Sequence, residues 1–194
     1  TKSPATGLVR FSQDGSRFAT ISKDGVHIYE SLNGELVADF DGPFDVLMFH
    51  SLSPDGKCIV AYRSLSEAFL FNVETRTSRR LEVTKNSEIG TLAFSPDGSL
   101  LAFGDGYPSN VVKLCDAVSG KVLRTLVGHT NLVIGMDFSP DGSKLVTTSR
   151  DKTIRVWDTA DGSVLHNLTG HSGLVLCVAF SPDGNLVATG SDDY

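Results

Sequence analysis

A threonine, a histidine and an aspartate are the side chains of a nucleophilic triad, and this chain holds the set twice. His129, Thr147 and Asp151 make one copy; His171, Thr189 and Asp193 make the other. In a triad the carboxylate orients the imidazole, which takes the hydroxyl proton as the oxygen attacks. The spacing argues against that chemistry here. Each role recurs after 42 residues, from His129 to His171, Thr147 to Thr189 and Asp151 to Asp193, whereas an active site is a single constellation. Roles duplicated at a fixed period belong to a repeating structure.

Other reactive side chains are scattered. The three cysteines, Cys58, Cys115 and Cys177, match no zinc or redox spacing. Each sits in an apolar, strand-like run, where a free cysteine is expected to act as a small core hydrophobe. An odd, dispersed count fits a reducing, intracellular compartment, expected to be the cytoplasm. His27, His50 and His166 stand in strand-like runs without ligand spacing, so they are expected to be packed or edge side chains. No metal, cofactor or catalytic residue is expected.

The net charge of −6 argues against nucleic acid as a direct partner, since phosphate contacts need clustered cations. The one basic knot is Arg76, Arg79 and Arg80 with Lys85 nearby, read as a solvated loop and strand edge. The sequon Asn167-Leu168-Thr169 repeats the local strand pattern rather than marking a loop. No run of about 18 apolar residues is present, so no membrane span or membrane partner is expected. The chain opens at Thr1 without a signal-like leader, which suggests an excised or processed segment.

The elements that must position these residues are set by a repeated phrase. Phe-Ser-Pro-Asp-Gly stands at Phe94–Gly98, Phe138–Gly142 and Phe180–Gly184, with looser copies at Phe11–Gly15 and Leu52–Gly56. Its aspartates, Asp14, Asp55, Asp97, Asp141 and Asp183, are 41, 42, 44 and 42 residues apart. A period near forty marks a repeat architecture whose units bury apolar surface only by stacking. Within the phrase proline pre-sets φ, aspartate bonds its own backbone, and glycine accepts positive φ. These aspartates are therefore turn residues, not paired acids.

The unit from Gly128 to Leu168 reads as four short strands. Val133–Phe138 runs into the Ser-Pro-Asp-Gly turn, Lys144–Thr148 follows, and Ser149–Lys152 turns the chain again. Thr153–Trp157 alternates with period two and is β-branched, and Val164–Leu168 closes the unit. Tight turns between them predict one antiparallel sheet per repeat. No stretch shows a sustained helical period, so the chain is expected to be all-β, with stacked sheets forming propeller blades.

The sequence resembles the WD-repeat family. Gly128-His129 and Gly170-His171 supply its Gly-His pair and Trp157-Asp158 its Trp-Asp dipeptide, in register with the turns. The resemblance covers essentially the whole chain, strongly from Glu88 onward. It implies a buried hydrogen-bond relay in which Trp157 donates to Thr147, Thr147 meets His129, and His129 meets Asp151. The last repeat would hold His171, Thr189 and Asp193. The first keeps Thr20 and Asp24, with Tyr29 in the tryptophan slot and no histidine. Phe71 and Cys115 take that slot in the second and third, whose relays are expected to be absent or partial.

Four full repeats and half of a fifth are expected, at residues 8–45, 46–86, 87–130, 131–172 and 173–194. The resemblance implies a segment of a seven-bladed ring, about four and a half blades, with open edges that favour association. A longer loop, Gly104 to Asn110, replaces the second turn of the third repeat. The family resemblance implies a rigid scaffold binding proteins or peptides rather than an enzyme. The candidate contact residues flank the relay: Lys23, Tyr107, Asn131, Arg150, Ser172 and Asp192. Lys23, Arg150 and Asp192 share one turn slot and differ in charge, as partner choice would require. The rival expectations are a propeller hydrolase or lyase with its channel site in missing blades, and a sensor or regulatory domain of a larger protein.

Overall fold

The computed structural model describes residues 8–22, 24–42, 51–64, 66–82 and 87–193. The expected positions Lys23, Val46, His50 and Lys85 lie outside these residues. The chain is all-β: among the described residues there are eighteen strands and no helix. It divides into two compact units, Thr1–Glu82 and Val83–Tyr194.

In the first unit, β1 (Leu8–Phe11), β2 (Arg17–Ile21), β3 (Gly25–Glu30) and β4 (Leu36–Asp41) pair in chain order as one antiparallel sheet. A second sheet follows from β5 (Ser51–Leu52), β6 (Cys58–Ser64), β7 (Glu67–Asn72) and β8 (Thr77–Arg80). Alternation sends Ala19, Ile21, Val26 and Ile28 into one core with Ile59, Ala61 and Phe71. Strand β6 is buried on both faces from Cys58 to Tyr62, which explains its unbroken apolar run. Arg17 ties the two sheets, giving one N–H to the Gly56 carbonyl at 3.2 Å and another to Glu30 at 3.1 Å.

The second unit holds β9 (Ile89–Phe94), β10 (Leu100–Asp105), β11 (Val111–Asp116) and β12 (Val122–Leu126) as one meander. The next comprises β13 (Val133–Phe138), β14 (Lys144–Ser149), β15 (Ile154–Asp158) and β16 (Val164–Leu168). A two-stranded sheet, β17 (Val175–Phe180) with β18 (Val187–Ser191), completes it. Trp157 and Leu145 pack against Ala102, Leu114 and Leu126 of the preceding meander. Val146, Ile154 and Val156 pack on their other side against Val175, Val178 and Phe180. Each meander is thus a propeller-type blade with apolar side chains on both faces.

The repeated phrase builds the same turn each time. Gly15, Gly56, Gly98, Gly142 and Gly184 have φ between 67 and 72°, a region open to glycine without steric cost. In all five the serine hydroxyl donates to the aspartate two residues on. These bonds pull the Asp141 and Asp183 carboxyls down to about 2, first through the serine hydroxyl and then through a backbone amide.

Two local expectations are corrected. Gly104 and Asp105 are not loop but the end of β10, opposite Val112 and Val111. Lys113 holds the Asp105 carboxylate at 2.8 Å, so a charged residue continues the strand where a turn is expected. Cys58 and Cys115 are buried, but Cys177 is exposed. A bulge between Val175 and Cys177 resets the alternation of β17. Val178 and Phe180 then face the neighbouring blade, and Cys177 takes the opposite face.

Candidate functional site

Strands β14 and β15 and the loop before β13 bring four side chains of different chemistry to one place. The Trp157 indole N–H donates to the Thr147 hydroxyl at 2.8 Å. Thr147 Oγ1 stands 2.8 Å from His129 Nε2, and His129 Nδ1 stands 2.8 Å from Asp151 Oδ2. An indole only donates and an ionised carboxylate only accepts, so the proton directions follow. Thr147 donates to Nε2, and the Nδ1–H donates to Asp151. Asp151 Oδ2 also accepts the Thr130 amide, while Oδ1 accepts the amide and hydroxyl of Thr153. Both carboxylate oxygens are therefore doubly engaged.

Electrostatics fix the same state. Burial pushes the His129 imidazole below its ordinary value, although Asp151 pulls the other way. Burial alone would raise Asp151. Thr153, the Thr130 amide and His129 outweigh it and hold the carboxyl at about 2. At neutral pH the pair is a neutral imidazole on an ionised carboxylate. This set cannot serve as a nucleophile in its observed form, because Thr147 is 0% exposed and its hydroxyl is already shared between Trp157 and His129. What it does is clamp one loop, two strands and a turn in a single geometry.

The last repeat holds a shorter version. His171 Nε2 lies 2.9 Å from Thr189 Oγ1, and Nδ1 lies 2.9 Å from Asp193 Oδ2, which also accepts the Ser172 amide. In the blade of β9–β12 the register places Cys115 in the tryptophan slot and Phe103 in the threonine slot. Both are wholly buried. In the blade of β5–β8 the slots hold Phe71 and Ala61. In these two blades the indole and the hydroxyl are lost together, so neither is left without the other. The first blade fills the tryptophan slot with Tyr29, stacked on Phe18 at 5.0 Å.

The clamp sets the backbone beside it. The Ser149 hydroxyl donates to the Asn131 carbonyl, and the Arg150 amide donates to the Leu132 carbonyl at 2.9 Å. Asn131 and Arg150 are thereby brought together, both exposed. Asn131 turns its side-chain oxygen back to the Leu132 amide. Ser172 is exposed, and its carbonyl accepts Lys152 Nζ at 2.7 Å. Asp192 is exposed too, but its carboxylate accepts the Leu174 amide, so part of its role is to close its own loop.

Tyr107 is 78% exposed on a loop pinned at several points. The Gly106 amide donates to Glu88, and the Asn110 amide donates to Gly106. Ser109 bonds the Asp105 and Gly106 carbonyls, and the Asn110 side chain reaches Thr130. Gly106 lies so close to Leu132 that a Cβ there would stand 2.6 Å from its Cδ1. Leu132 therefore touches the Tyr107 loop with its side chain and the Arg150 turn with its carbonyl. Sequence reasoning missed Leu132 and Lys152. Their signal is position alone, immediately after Asn131 and Asp151.

The segments that carry the two relays, residues 120–158 and 162–194, match the WD domain, G-beta repeat. A WD repeat-containing protein SL1-17 of Schistosoma mansoni is 32% identical over 150 residues, covering 76% of this chain and 48% of that protein. WD repeat and SOCS box-containing protein 1 of Homo sapiens is 41% identical over 92 residues, 47% of this chain and 20% of that one. The COMPASS component SWD3 of Saccharomyces cerevisiae is 31% identical over 107 residues, 54% of this chain and 32% of that one. The chain spans less than half the length of each of these relatives. Its blades, its turns and these matches place the chain in the WD-repeat family.

Proposed function

We propose that this chain is a non-catalytic scaffold that binds a protein or peptide on the loop end carrying Tyr107, Asn131, Arg150 and Ser172. The observation that carries this reading is variation on a fixed frame. Arg150 and Asp192 occupy the same turn slot beside the same His–Asp contact, and they carry opposite charges. Asp192 uses its carboxylate to close its own loop, so it is the oppositely charged Arg150 side chain, exposed in the same slot, that is placed for recognition. The frame is also stiff, and a preordered surface lowers the ordering cost of association. A relative is named as a component of COMPASS, in keeping with a role inside an assembly. Three scattered cysteines suit a cytoplasmic setting.

The test is affinity capture with matched baits: wild type, Arg150→Glu, Tyr107→Ala, and Lys121→Glu at the opposite end of the blades. Melting temperatures are equalised first. A partner lost with the first two variants and kept with Lys121→Glu supports this face. Identical capture by all four overturns it.

A further inference from the structure

The basic knot of the first unit is not absorbed by the scaffold reading. It lies on β8, the outermost strand of its sheet, all four of whose residues, Thr77, Ser78, Arg79 and Arg80, are exposed. Arg76 precedes them. On a chain of net charge −6 this is a concentrated cationic edge. The other outer strands differ: β4 carries Asp39 and Asp41, β12 carries Arg124 alone, and β16 carries His166.

The backbone of this edge has a definite polarity. The Leu81 amide donates to the Ala68 carbonyl at 2.8 Å, which makes that opposed pair a hydrogen-bonded one. The β7–β8 register continues without a break through Arg80↔Phe69, Arg79↔Leu70, Ser78↔Phe71 and Thr77↔Asn72. Bonded and non-bonded pairs alternate along an antiparallel ladder. Thr77 and Arg79 therefore bond β7, while Ser78 and Arg80 turn their N–H and C=O groups outward. Two donor–acceptor sets, two residues apart, form the docking pattern for another strand.

The guanidiniums are held beside it. Arg80 reaches Glu67 at 3.2 Å, and Arg76 donates to the Val37 carbonyl at 3.1 Å. A guanidinium carries five N–H donors in a fork that fits carboxylates, more than these contacts use. We propose that β8 receives an extended acidic peptide as a fifth strand, its backbone bonding Ser78 and Arg80 and its carboxylates meeting the arginines. Nucleic acid is a poorer fit, because phosphate oxygens accept from N–H but donate nothing to the outward carbonyls.

The test uses the 194-residue chain and a fluorescein-labelled decapeptide alternating Glu and Thr, read by anisotropy. Controls are the Lys–Thr counterpart, the same Glu peptide N-methylated at alternate residues, and a single-stranded DNA dodecamer. Ser78→Pro removes an outward N–H and no bond to β7, a position where an edge strand tolerates proline. The Glu peptide is expected to bind, with the Lys and N-methylated peptides at least about tenfold weaker. Ser78→Pro is expected to weaken binding by a similar factor at an unchanged melting temperature. Arg79→Gln with Arg80→Gln is expected to do the same and to flatten the salt dependence. Absence of Glu-peptide binding, or binding indifferent to Ser78→Pro, overturns the proposal. So does DNA binding as tightly as the peptide, which means a generic polyanion patch. Self-association of the double arginine variant without peptide binding by wild type also overturns it, leaving the arginines as guards of the edge.

Discussion

The Trp157 indole N–H ends on the Thr147 hydroxyl at 2.8 Å, and both residues are shut off from water. Removing either partner strands a buried polar group, which costs roughly 1–3 kcal/mol. Trp157→Phe leaves Thr147 one donor short. Thr147→Val strands both the indole N–H and His129 Nε2, so its cost is expected to be the larger. The double variant is expected to lose less than the two singles added, by about 0.5–3 kcal/mol, since it copies the apolar solution of Cys115 and Phe103. Urea unfolding followed by circular dichroism measures all four species. Strict additivity would show that the bond carries no coupling.

The relay also makes the fold acid-sensitive in two windows. The His129 value is lowered below 6.5, so the unfolded chain takes a proton that the folded chain refuses. Stability then rises with pH up to about 6.5 and falls below it. Asp151 is depressed from 3.8 to about 2. Its contribution is present above 3.8 and disappears as the pH drops toward 2. Urea midpoints at a series of pH values are expected to fall from pH 6.5 downward in wild type. His129→Gln is expected to flatten the upper window and to narrow the lower one, which Thr153 and the Thr130 amide then sustain in part. An unchanged upper slope in that variant would place the titration on another group.

The turns are legible in the sequence because their chemistry is local. Ser-x-Asp-Gly can make its own hydrogen bonds and its own positive φ, so Asp141 and Gly142 announce themselves in a single line of text. The relay is legible through the family resemblance: Gly128-His129 and Trp157-Asp158 mark the repeat, and the repeat implies the bonds among His129, Thr147, Asp151 and Trp157. Less legible is what depends on a neighbour. Asp105 reads as a loop residue until Lys113, on the adjacent strand, is seen beside it. Cys177 reads as core until the bulge at the start of β17 turns it outward. Leu132 carries no motif, and its role comes from the contact with Gly106.

The Asp105–Lys113 pair yields a sharp energetic test. Asp105 is 0% exposed and Lys113 leans over the Phe103 ring at 5.9 Å. Taking away one partner of a buried ion pair costs up to about 3–5 kcal/mol, less where other contacts still hold the remaining charge. Lys113→Met is expected to lose most of that. Asp105→Leu with Lys113→Met, which removes both charges, is expected to recover the greater part. Thermal unfolding of wild type, single and double variants decides the matter. A double variant as unstable as the single would show that Asp105 is held by contacts other than its cation.

Gly106 links the fold to the proposed binding face. A methyl group there would stand 2.6 Å from Leu132 Cδ1 and 2.7 Å from the Glu88 carbonyl oxygen. Leu132 can swing, but the carbonyl is backbone and takes the Gly106 amide itself. Gly106→Ala must therefore move the loop, at an overpacking cost of about 1–3 kcal/mol, and carry Tyr107 off its station. Tyr107→Ala removes the same ring with no strain, since the ring is 78% exposed. If Tyr107 is recognised in a fixed position, both variants lose the captured partner, and only Gly106→Ala lowers the melting temperature. Partner retention by Gly106→Ala alongside loss by Tyr107→Ala would mean that the ring is needed but its rigid presentation is not. Retention by both would remove Tyr107 from the contact surface.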